Sequence, residues 1–418
     1  MKIAILTNEY PPHVYGGAGV HVEYLTRELA ALVQDRHAVD VLCFGDQRES
    51  RGNLRIEGVQ APLQVPVHDQ RHARLLATLL QDLVMSGKLA AIDIVHCHTW
   101  YTHLAGCLVK YLQAVPLVLT THSLEPHRPW KAEQLGTAYD VSTWIERTAY
   151  QSADGVIAVS ASMKRDVHEL YGVPIDRIEV IHNGIDPEQY RPTNDPALLD
   201  ELHIRRDLPY VLFVGRITRQ KGIIHLVNAV RHLQPGVQVV LCAGAPDTPE
   251  ILQEMTDVVR RARIDGGHDI IWIRDMLPRH KLIPLFSQAA IFVCPSVYEP
   301  FGIINLEAMA CETPVVAAAV GGILEVVADG QTGLLVPFEP VGPADVEPRR
   351  PEQFSRELAA AVNMLLANAA LGAEMGRKSR RRVVEQFSWA SIARQTLDFY
   401  QQVMTAHRGA TPGPRAST

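Results

Sequence analysis

Ile291-Phe-Val-Cys-Pro295-Ser-Val-Tyr-Glu299-Pro-Phe-Gly302-Ile-Ile-Asn-Leu-Glu307-Ala-Met-Ala310 changes structural character partway along. The apolar run Ile291–Cys294 reads as a buried parallel strand. A Pro300-Phe-Gly302 turn follows, and Asn305 to Ala310 are small residues with helical character. A loop from strand into helix presents free backbone N–H groups and the positive end of a helix dipole, which suits a phosphate. Glu299 and Glu307 bracket that loop. A carboxylate beside a phosphate is unfavourable unless it accepts hydroxyl hydrogen bonds, and a ribose or a sugar ring offers those. The stretch therefore reads as a nucleotide-sugar site with one acid for each sugar.

The same strand-then-helix alternation runs outward in both directions. In the first half the strand candidates are Ile3–Thr7, Val39–Phe44, Ile92–His96, Leu117–Thr121, Val156–Ser160 and Glu179–His182. Between the first two, Val22, Leu25, Leu29, Leu32 and Val33 recur at helical spacing. The pattern restarts at Tyr210–Val214 and continues through Val237–Ala243, Ile270–Ile273, Ile291–Cys294, Val315–Ala318 and Leu334–Val336. Such alternation gives βα units and a parallel sheet covered by helices on both faces, with ligands at the carboxyl ends of the strands.

The fold class is therefore α/β, with two Rossmann-like doubly wound domains facing across a cleft. A length of 418 residues also favours two cores over one. The first domain spans 1–185 and the second 209–387. Residues 186–208, with Pro187, Pro192 and Pro196, read as a linker. Gly342–Pro351 reads as a surface loop and Pro351–Phe387 as a helical segment ending in a solvated Arg380-Arg-Arg382 face. Residues 388–404 form a last helix, and 405–418, with Pro412, Gly413 and Pro414, a disordered tail.

Composition narrows the partners. The chain is 47% hydrophobic and 21% charged with a net charge of −6, which suits a soluble protein and argues against nucleic-acid binding. Met1-Lys-Ile-Ala-Ile-Leu6 runs directly into a strand without the features of a signal peptide. No apolar run reaches the length of a membrane span. The six cysteines are scattered within apolar runs, as expected of buried thiols in a reducing cytoplasm.

Five further clusters sit where strands end. Gly16-Gly17-Ala-Gly19 lets a backbone approach a ligand closely; its spacing is not GxGxxG, which disfavours a nicotinamide dinucleotide, and an ordinary glycine turn is the alternative. Gly215-Arg216-Ile-Thr-Arg-Gln-Lys221-Gly222 delivers two cations to one loop, either for a diphosphate leaving group or simply for solvent. His96-Cys-His98 with His103 invites a metal, but no carboxylate completes the set, so no metal is expected and packing or sugar contact is favoured. Thr120-Thr-His122-Ser-Leu-Glu125-Pro-His-Arg128-Pro-Trp130-Lys131 brings a histidine, an acid, two cations and a stacking ring to one loop. His182-Asn183-Gly184 is either a turn or a contact for a sugar hydroxyl.

Together these motifs resemble the retaining glycosyltransferases of the GT-B fold, in the large family that contains the bacterial glycogen synthases. Glu299-Pro-Phe-Gly with Glu307, Pro314-Val-Val and Gly321-Gly322 is similar to that family's E-x7-E donor signature. The resemblance runs from Asn8-Glu-Tyr-Pro-Pro12 to Phe387-Ser-Trp389. It is nearest to the actinobacterial-type, maltose-1-phosphate-forming group, through Tyr15-Gly-Gly-Ala-Gly-Val-His21, His122-Ser-Leu-Glu-Pro, Arg128-Pro-Trp-Lys131 and Cys242-Ala-Gly-Ala-Pro-Asp-Thr248.

The resemblance implies that Glu299 contacts the transferred sugar and Glu307 the ribose. It implies that Arg216 and Lys221 clamp the diphosphate, His122 and Asn183 hold the donor sugar, and Gly16 and Gly17 face the diphosphate. His122, Glu299, Arg216 and Lys221 form the catalytic set, with Phe301, Gly302, Ile303 and Ile304 completing the donor loop. The first domain becomes the acceptor side, and the last helix packs back on it. Separately from the resemblance, the cations Arg128 and Lys131, with Glu125 and Trp130, read as contacts for a small phosphorylated acceptor. The reaction implied is metal-free, retaining transfer of glucose from ADP-glucose to an α-glucan or glucose-1-phosphate, without a cofactor.

Tyr15 before Gly16, His98-Thr99-Trp100 where the synthases carry His-Asp-Trp, and Glu312 where relatives carry glycine all depart from the pattern. The first two bear on long-glucan elongation. The alternatives are a relative using a UDP-sugar and another sugar or inositol phosphate, a phosphorylase, and a non-catalytic glucan-binding protein.

Overall fold

Each apolar run of the first half becomes a strand of one sheet. The strands are β1 (Lys2–Thr7), β2 (Ala38–Phe44), β3 (Arg48–Arg51), β4 (Leu54–Val59), β5 (Ile94–His98), β6 (Leu117–Thr121), β7 (Gly155–Ala158) and β8 (Ile178–Val180). They lie in the order β3-β4-β2-β1-β5-β6-β7-β8, parallel except for the β3–β4 pair. The sequence pattern passes over β3 and β4 because β3 is polar and exposed throughout, as suits a sheet edge. The second half gives β9 (Tyr210–Arg216), β10 (Gln238–Gly244), β11 (Asp269–Ile273), β12 (Ile291–Cys294), β13 (Val315–Ala318) and β14 (Gly333–Val336). Their order is β11-β10-β9-β12-β13-β14, all parallel.

The structure is a computed structural model describing residues 1–14, 16–32, 38–342 and 345–410. Tyr15, Val33 and the tail beyond Ala410 lie outside the described residues. The chain divides into two units. Unit 1 comprises Met1–Pro126, Lys131–Asn183 and the segment from Trp389 onward; unit 2 comprises His127–Trp130 and Gly184–Ser388. Each is a doubly wound domain. The strand order reverses between β1 and β5 in unit 1 and between β9 and β12 in unit 2. Diverging connections leave a crevice at such a point, which is where open α/β sheets bind ligands.

Three helices matter for function: α1 (Gly17–Leu32), α2 (Ile303–Ala310) and α3 (Trp389–Ala410). In unit 1, Trp389 stacks on Tyr24 of α1 with ring centroids 5.6 Å apart. Ile392, Tyr400 and Val403 continue the same core with Val22, Leu25 and Leu29. Helix α3 runs to Ala410, beyond the expected end at Met404, so the first residues of the expected disordered tail are helical.

The expected linker is also structured. Tyr190, Leu198, Leu199 and Ile204 are buried, and Asp195 caps a helix over Pro196–Glu201 by accepting from the Leu198 N–H at 3.0 Å. Apolar spacing, which the prolines obscure, packs this segment into unit 2. The expected loop after Gly342 holds half of a hairpin, β15 (Pro340–Gly342) with β16 (Asp345–Pro348), and residues 343–344 lie outside the described residues. The long helical segment breaks at Asn368, which caps its second half.

The arginine run is not a solvated face. Arg380 donates to the carbonyls of Pro187, Tyr190 and Ala310 at 3.1, 3.0 and 2.5 Å. Arg382 donates to those of Glu325 and Val326 at 2.8 and 3.1 Å. Arg381 is the exposed member of the run. Loop and helix-end carbonyls need donors, and a guanidinium fork supplies several at once.

Candidate functional site

In unit 2 the loops leaving β9 and β12 meet at the point where the strand order reverses. Gly222 sits at φ +58°, and a Cβ there would lie 2.1 Å from the Pro295 carbonyl oxygen, so only glycine lets the loops close. The Val297 N–H donates to the Gln220 carbonyl at 3.0 Å and locks them together. Thr218 accepts from the Lys221 N–H at 3.3 Å and turns that residue toward the second loop. Lys221 Nζ then donates to Glu299 Oε2 at 2.7 Å, and Ser296 Oγ donates to the same oxygen at 3.2 Å. Burial draws the Lys221 ammonium down, but the Glu299 carboxylate more than offsets it, so the pKa rises and the charge is kept.

Gly321 closes this loop from the other side. At φ +49°, a Cβ would meet the Glu299 carbonyl oxygen at 2.2 Å, and the Gly322 N–H donates to that oxygen at 2.9 Å. The glycine pair thus fixes the backbone of Glu299.

Arg216 ends β9, about a third exposed, and donates to Asp247 Oδ1 at 2.5 Å. Phe301 is buried, with its ring 5.9 Å from that of Phe387. Gly302 caps α2, and Ile303 and Ile304 are half-buried in its first turn. Glu307, within α2, accepts from the Tyr190 hydroxyl at 2.9 Å. Burial pushes its carboxyl up to about 7. Arg380 holds the Ala310 carbonyl at the far end of this helix. The site in unit 2 therefore presents two cations, each already facing a carboxylate, beside a helix start.

Unit 1 has the same crevice with different contents. His98 ends β5 and His122 follows β6, with His98 Nδ1 and His122 Nε2 sharing a hydrogen bond of 2.9 Å. From α1, His21 Nδ1–H donates to Asn183 Oδ1 at 2.6 Å, just after β8. His96 is engaged at both nitrogens, with the Tyr400 hydroxyl at 2.6 Å and Thr120 Oγ1 at 2.7 Å. His103 packs its ring 5.7 Å from that of Tyr150. Burial pushes His21 down to about 4 and His103 to about 3, and holds His96, His98 and His122 well below the usual imidazole range. These rings are therefore uncharged at neutral pH.

The His96–His98 pairing that the sequence suggests for a metal does not hold, because His96 has both nitrogens occupied. Among the described residues, His21, His98 and His122 converge instead, each offering one nitrogen within 4.8 Å of the others. The Gly16 N–H donates to Glu9 Oε2 at 2.8 Å, so this amide meets a carboxylate of its own unit, while Gly17 is exposed at the start of α1. Thr99, at φ 67° and ψ 156°, holds a backbone conformation that disfavours a branched side chain, and its hydroxyl donates to Asn8 Oδ1 at 2.8 Å.

Two of the expected acceptor contacts are internal. Glu125 and Lys131 are buried in unit 1 and pair at 3.4 Å, and Ser142 Oγ donates to the other oxygen of Glu125 at 3.2 Å. They supply each other's counter-charge instead of a surface for phosphate. The Glu125 N–H donates to Glu146, whose carboxyl burial raises to about 8. Arg128 and Trp130 lie in the four-residue segment that groups with unit 2.

Residues that sequence reasoning missed share one property: each acts on another group of the protein. His21 and Asp247 lay inside quoted motifs, but nothing in their spacing marked them. Tyr190 looked like linker, and Glu9 and Thr99 carried no periodic signal. Among the described residues no single helix is long and apolar enough to cross a membrane.

Comparison with known proteins agrees with this geometry. Residues 15–189 match the model of Glycosyltransferase Family 4, and residues 195–341 that of Glycosyl transferases group 1. The chain is 49% identical over 409 residues to the alpha-maltose-1-phosphate synthase of Mycolicibacterium smegmatis, covering 96% of this chain and 100% of that one. It is 31% identical over 445 residues to a glycogen synthase of Mycobacterium tuberculosis, covering 99% and 97%. Sucrose-phosphate synthase from Thermosynechococcus elongatus superposes with a TM-score of 0.76 at 26% identity, over 97% of this chain and 100% of that one. With two matched domains and near-complete coverage, the chain belongs to the GT-B glycosyltransferases of this family and is a hexosyltransferase close to the maltose-1-phosphate and glycogen synthases.

Proposed function

We propose that the chain is a retaining glucosyltransferase that moves glucose from ADP-glucose to glucose-1-phosphate or an α-glucan through an α-1,4 link. The observation that carries this reading is the Lys221–Glu299 pair with Arg216 beside it, in a chain so similar to a named maltose-1-phosphate synthase. As the bond from glucose C1 to the β-phosphate oxygen breaks, negative charge gathers on ADP and positive charge on the ring. Lys221 and Arg216 meet the first, at the start of α2. Both cations are held in place by carboxylates before the donor arrives, so little reorganisation is needed.

Glu299, fixed through its backbone and by Ser296, anchors the hydroxyls of the transferred glucose rather than attacking it. Glu307 serves the ribose. His122 and Asn183 hold the sugar from unit 1 without placing a full charge near the cationic ring. Gly17 is the amide of the first loop left for the diphosphate. The acceptor hydroxyl attacks C1 on the leaving-group face and passes its proton to the departing phosphate, which retains configuration. Arg128 serves the acceptor phosphate and Trp130 stacks on its sugar, while the Glu125–Lys131 pair orders that loop. Side-chain cations do the work of a metal, so turnover persists in chelator, and the buried free thiols suit a reducing cytoplasm.

A matrix of ADP- and UDP-sugars against glucose-1-phosphate, inositol phosphate and glycogen, read by product mass, tests the proposal. It predicts a disaccharide phosphate from ADP-glucose and glucose-1-phosphate. Product only from a UDP-sugar would transfer the reading to the second donor class. Absence of nucleotide release with every pair would leave a binding protein.

A further inference from the structure

The three imidazoles that converge in unit 1 are arranged for more than holding a sugar. His21 and His98 are 2% and 0% exposed, and the Nε2 atom of each is buried with no hydrogen-bond partner. For His21, whose Nδ1 carries the proton given to Asn183, that is a buried lone pair with nothing to accept, which is unfavourable unless a ligand meets it. The ring of His122 lies 4.7 Å from that of His21 and 5.2 Å from that of His98. His122 is the half-buried member, which gives the cluster its access to solvent.

We propose that His21, His98 and His122 form a site for one divalent transition-metal ion of the zinc class, and that the bound ion blocks sugar transfer. Three neutral imidazoles with an open fourth position make an ordinary ligand set for zinc. Two imidazole nitrogens on tetrahedral zinc stand about 3.3 Å apart. With His98 Nδ1 and His122 Nε2 as ligands beside His21 Nε2, the ion displaces the proton these two rings share, their 2.9 Å contact opens by only a few tenths of an ångström, and side-chain rotations close the remaining distances. Around this core the supporting contacts already exist. The Asn183 carbonyl accepts from His21 Nδ1–H, which fixes the tautomer with its lone pair on Nε2, the usual arrangement of a metal-bound histidine. His96 packs against His98 with ring centroids 4.2 Å apart and, tied to Tyr400 and Thr120, does not compete as a ligand.

Metal binding stands on the geometry alone. Inhibition rests on the proposed function, because a metal on His122 removes that ring from the sugar. Equilibrium dialysis of the full-length protein against Zn²⁺, with Co²⁺ as an optical probe, separates the two. The expected result is one Zn²⁺ per chain and intense visible Co²⁺ bands of a four-coordinate nitrogen site. His21→Asn and His98→Gln should each weaken binding by at least about 10-fold, while His68→Ala, on the exposed surface, leaves it unchanged. Transfer should fall at least tenfold with Zn²⁺ and recover fully in chelator.

Folded variants that keep one tight Zn²⁺ would overturn the site, as would wild-type protein that gives only octahedral Co²⁺ bands. The second outcome decides the matter even where a variant fails to fold. Stoichiometric binding without inhibition would overturn the blocking role and point to an error in the place given to His122.

Discussion

The two crevices at which strand order reverses are built alike and furnished in opposite ways. In unit 2 the loops after β9 and β12 bring together Lys221, Arg216, Glu299 and Asp247, each charge facing its opposite. In unit 1 the equivalent positions after β1 and β5, with the residue after β6, bring together rings that burial keeps uncharged. The same topology supplies a crevice both times. Pairing decides which charges survive there, since a buried cation persists only beside a carboxylate. Charge is thus concentrated where a diphosphate would leave, and neutral donors and acceptors where a sugar would be held.

The sharpest way to break that contrast is Lys221→Ala. It should lower kcat/KM for ADP-glucose by about 10²–10³-fold, as loss of a preorganised donor to a developing anion does, read by ADP release. A loss under threefold would place the working charge elsewhere.

Glu307 gives a pH test confined to unit 2. Its carboxyl sits at about 7 in the folded chain and near 4.3 when unfolded. Between those values the folded state holds a proton that the unfolded state has released. Its contribution to stability therefore falls as pH rises from about 4.3 to about 7 and stays level above. Glu307→Gln should remove roughly 3 kcal/mol of that fall, seen by denaturant unfolding at pH 5 and pH 8. An unchanged pH slope would mean that Glu307 is not the proton carrier.

Arg380→Ala should cost about 2–3 kcal/mol by stripping carbonyls at the end of α2 and in the preceding segment of their donor. Arg381→Ala should stay within about 0.5 kcal/mol. Equal effects in thermal unfolding would restore the solvated-face reading of that run. His122→Ala should lower kcat by about 10-fold, the value of one hydrogen bond to a neutral group. A larger loss than that of Lys221→Ala would invert the comparison between the two crevices.

The smallest expected effect is at Glu312, which holds φ +63°. Glu312→Gly should stabilise by roughly 0.5 kcal/mol, the relief of left-handed strain less the added freedom of the unfolded chain.

Unit 2's crevice was more legible in the sequence than unit 1's, for a physical reason. Its glycines are dictated by backbone contacts at Gly222 and Gly321, and its charges sit at fixed distances along loops that follow strong apolar strands. The E-x7-E stretch therefore carried both fold and site. The unit 1 cluster is assembled from four separate segments, and a histidine on a helix has no spacing that announces which strand end it will meet. His21 was hidden in that way. Lys131 was misleading because a cation in a loop reads as exposed until its buried partner, Glu125, is seen. Linker prolines likewise masked Tyr190, the partner of Glu307.

On the proposed function, the charged crevice of unit 2 receives the diphosphate. Calorimetric titration of ADP into wild-type protein and into Lys221→Ala, in chelator, tests it without any acceptor. Binding without a metal is expected, with a loss of about 30-fold or more in the variant, the range of a buried charge-assisted contact. ADP affinity that is unchanged by the substitution, or that appears only when a divalent ion is added, would contradict it.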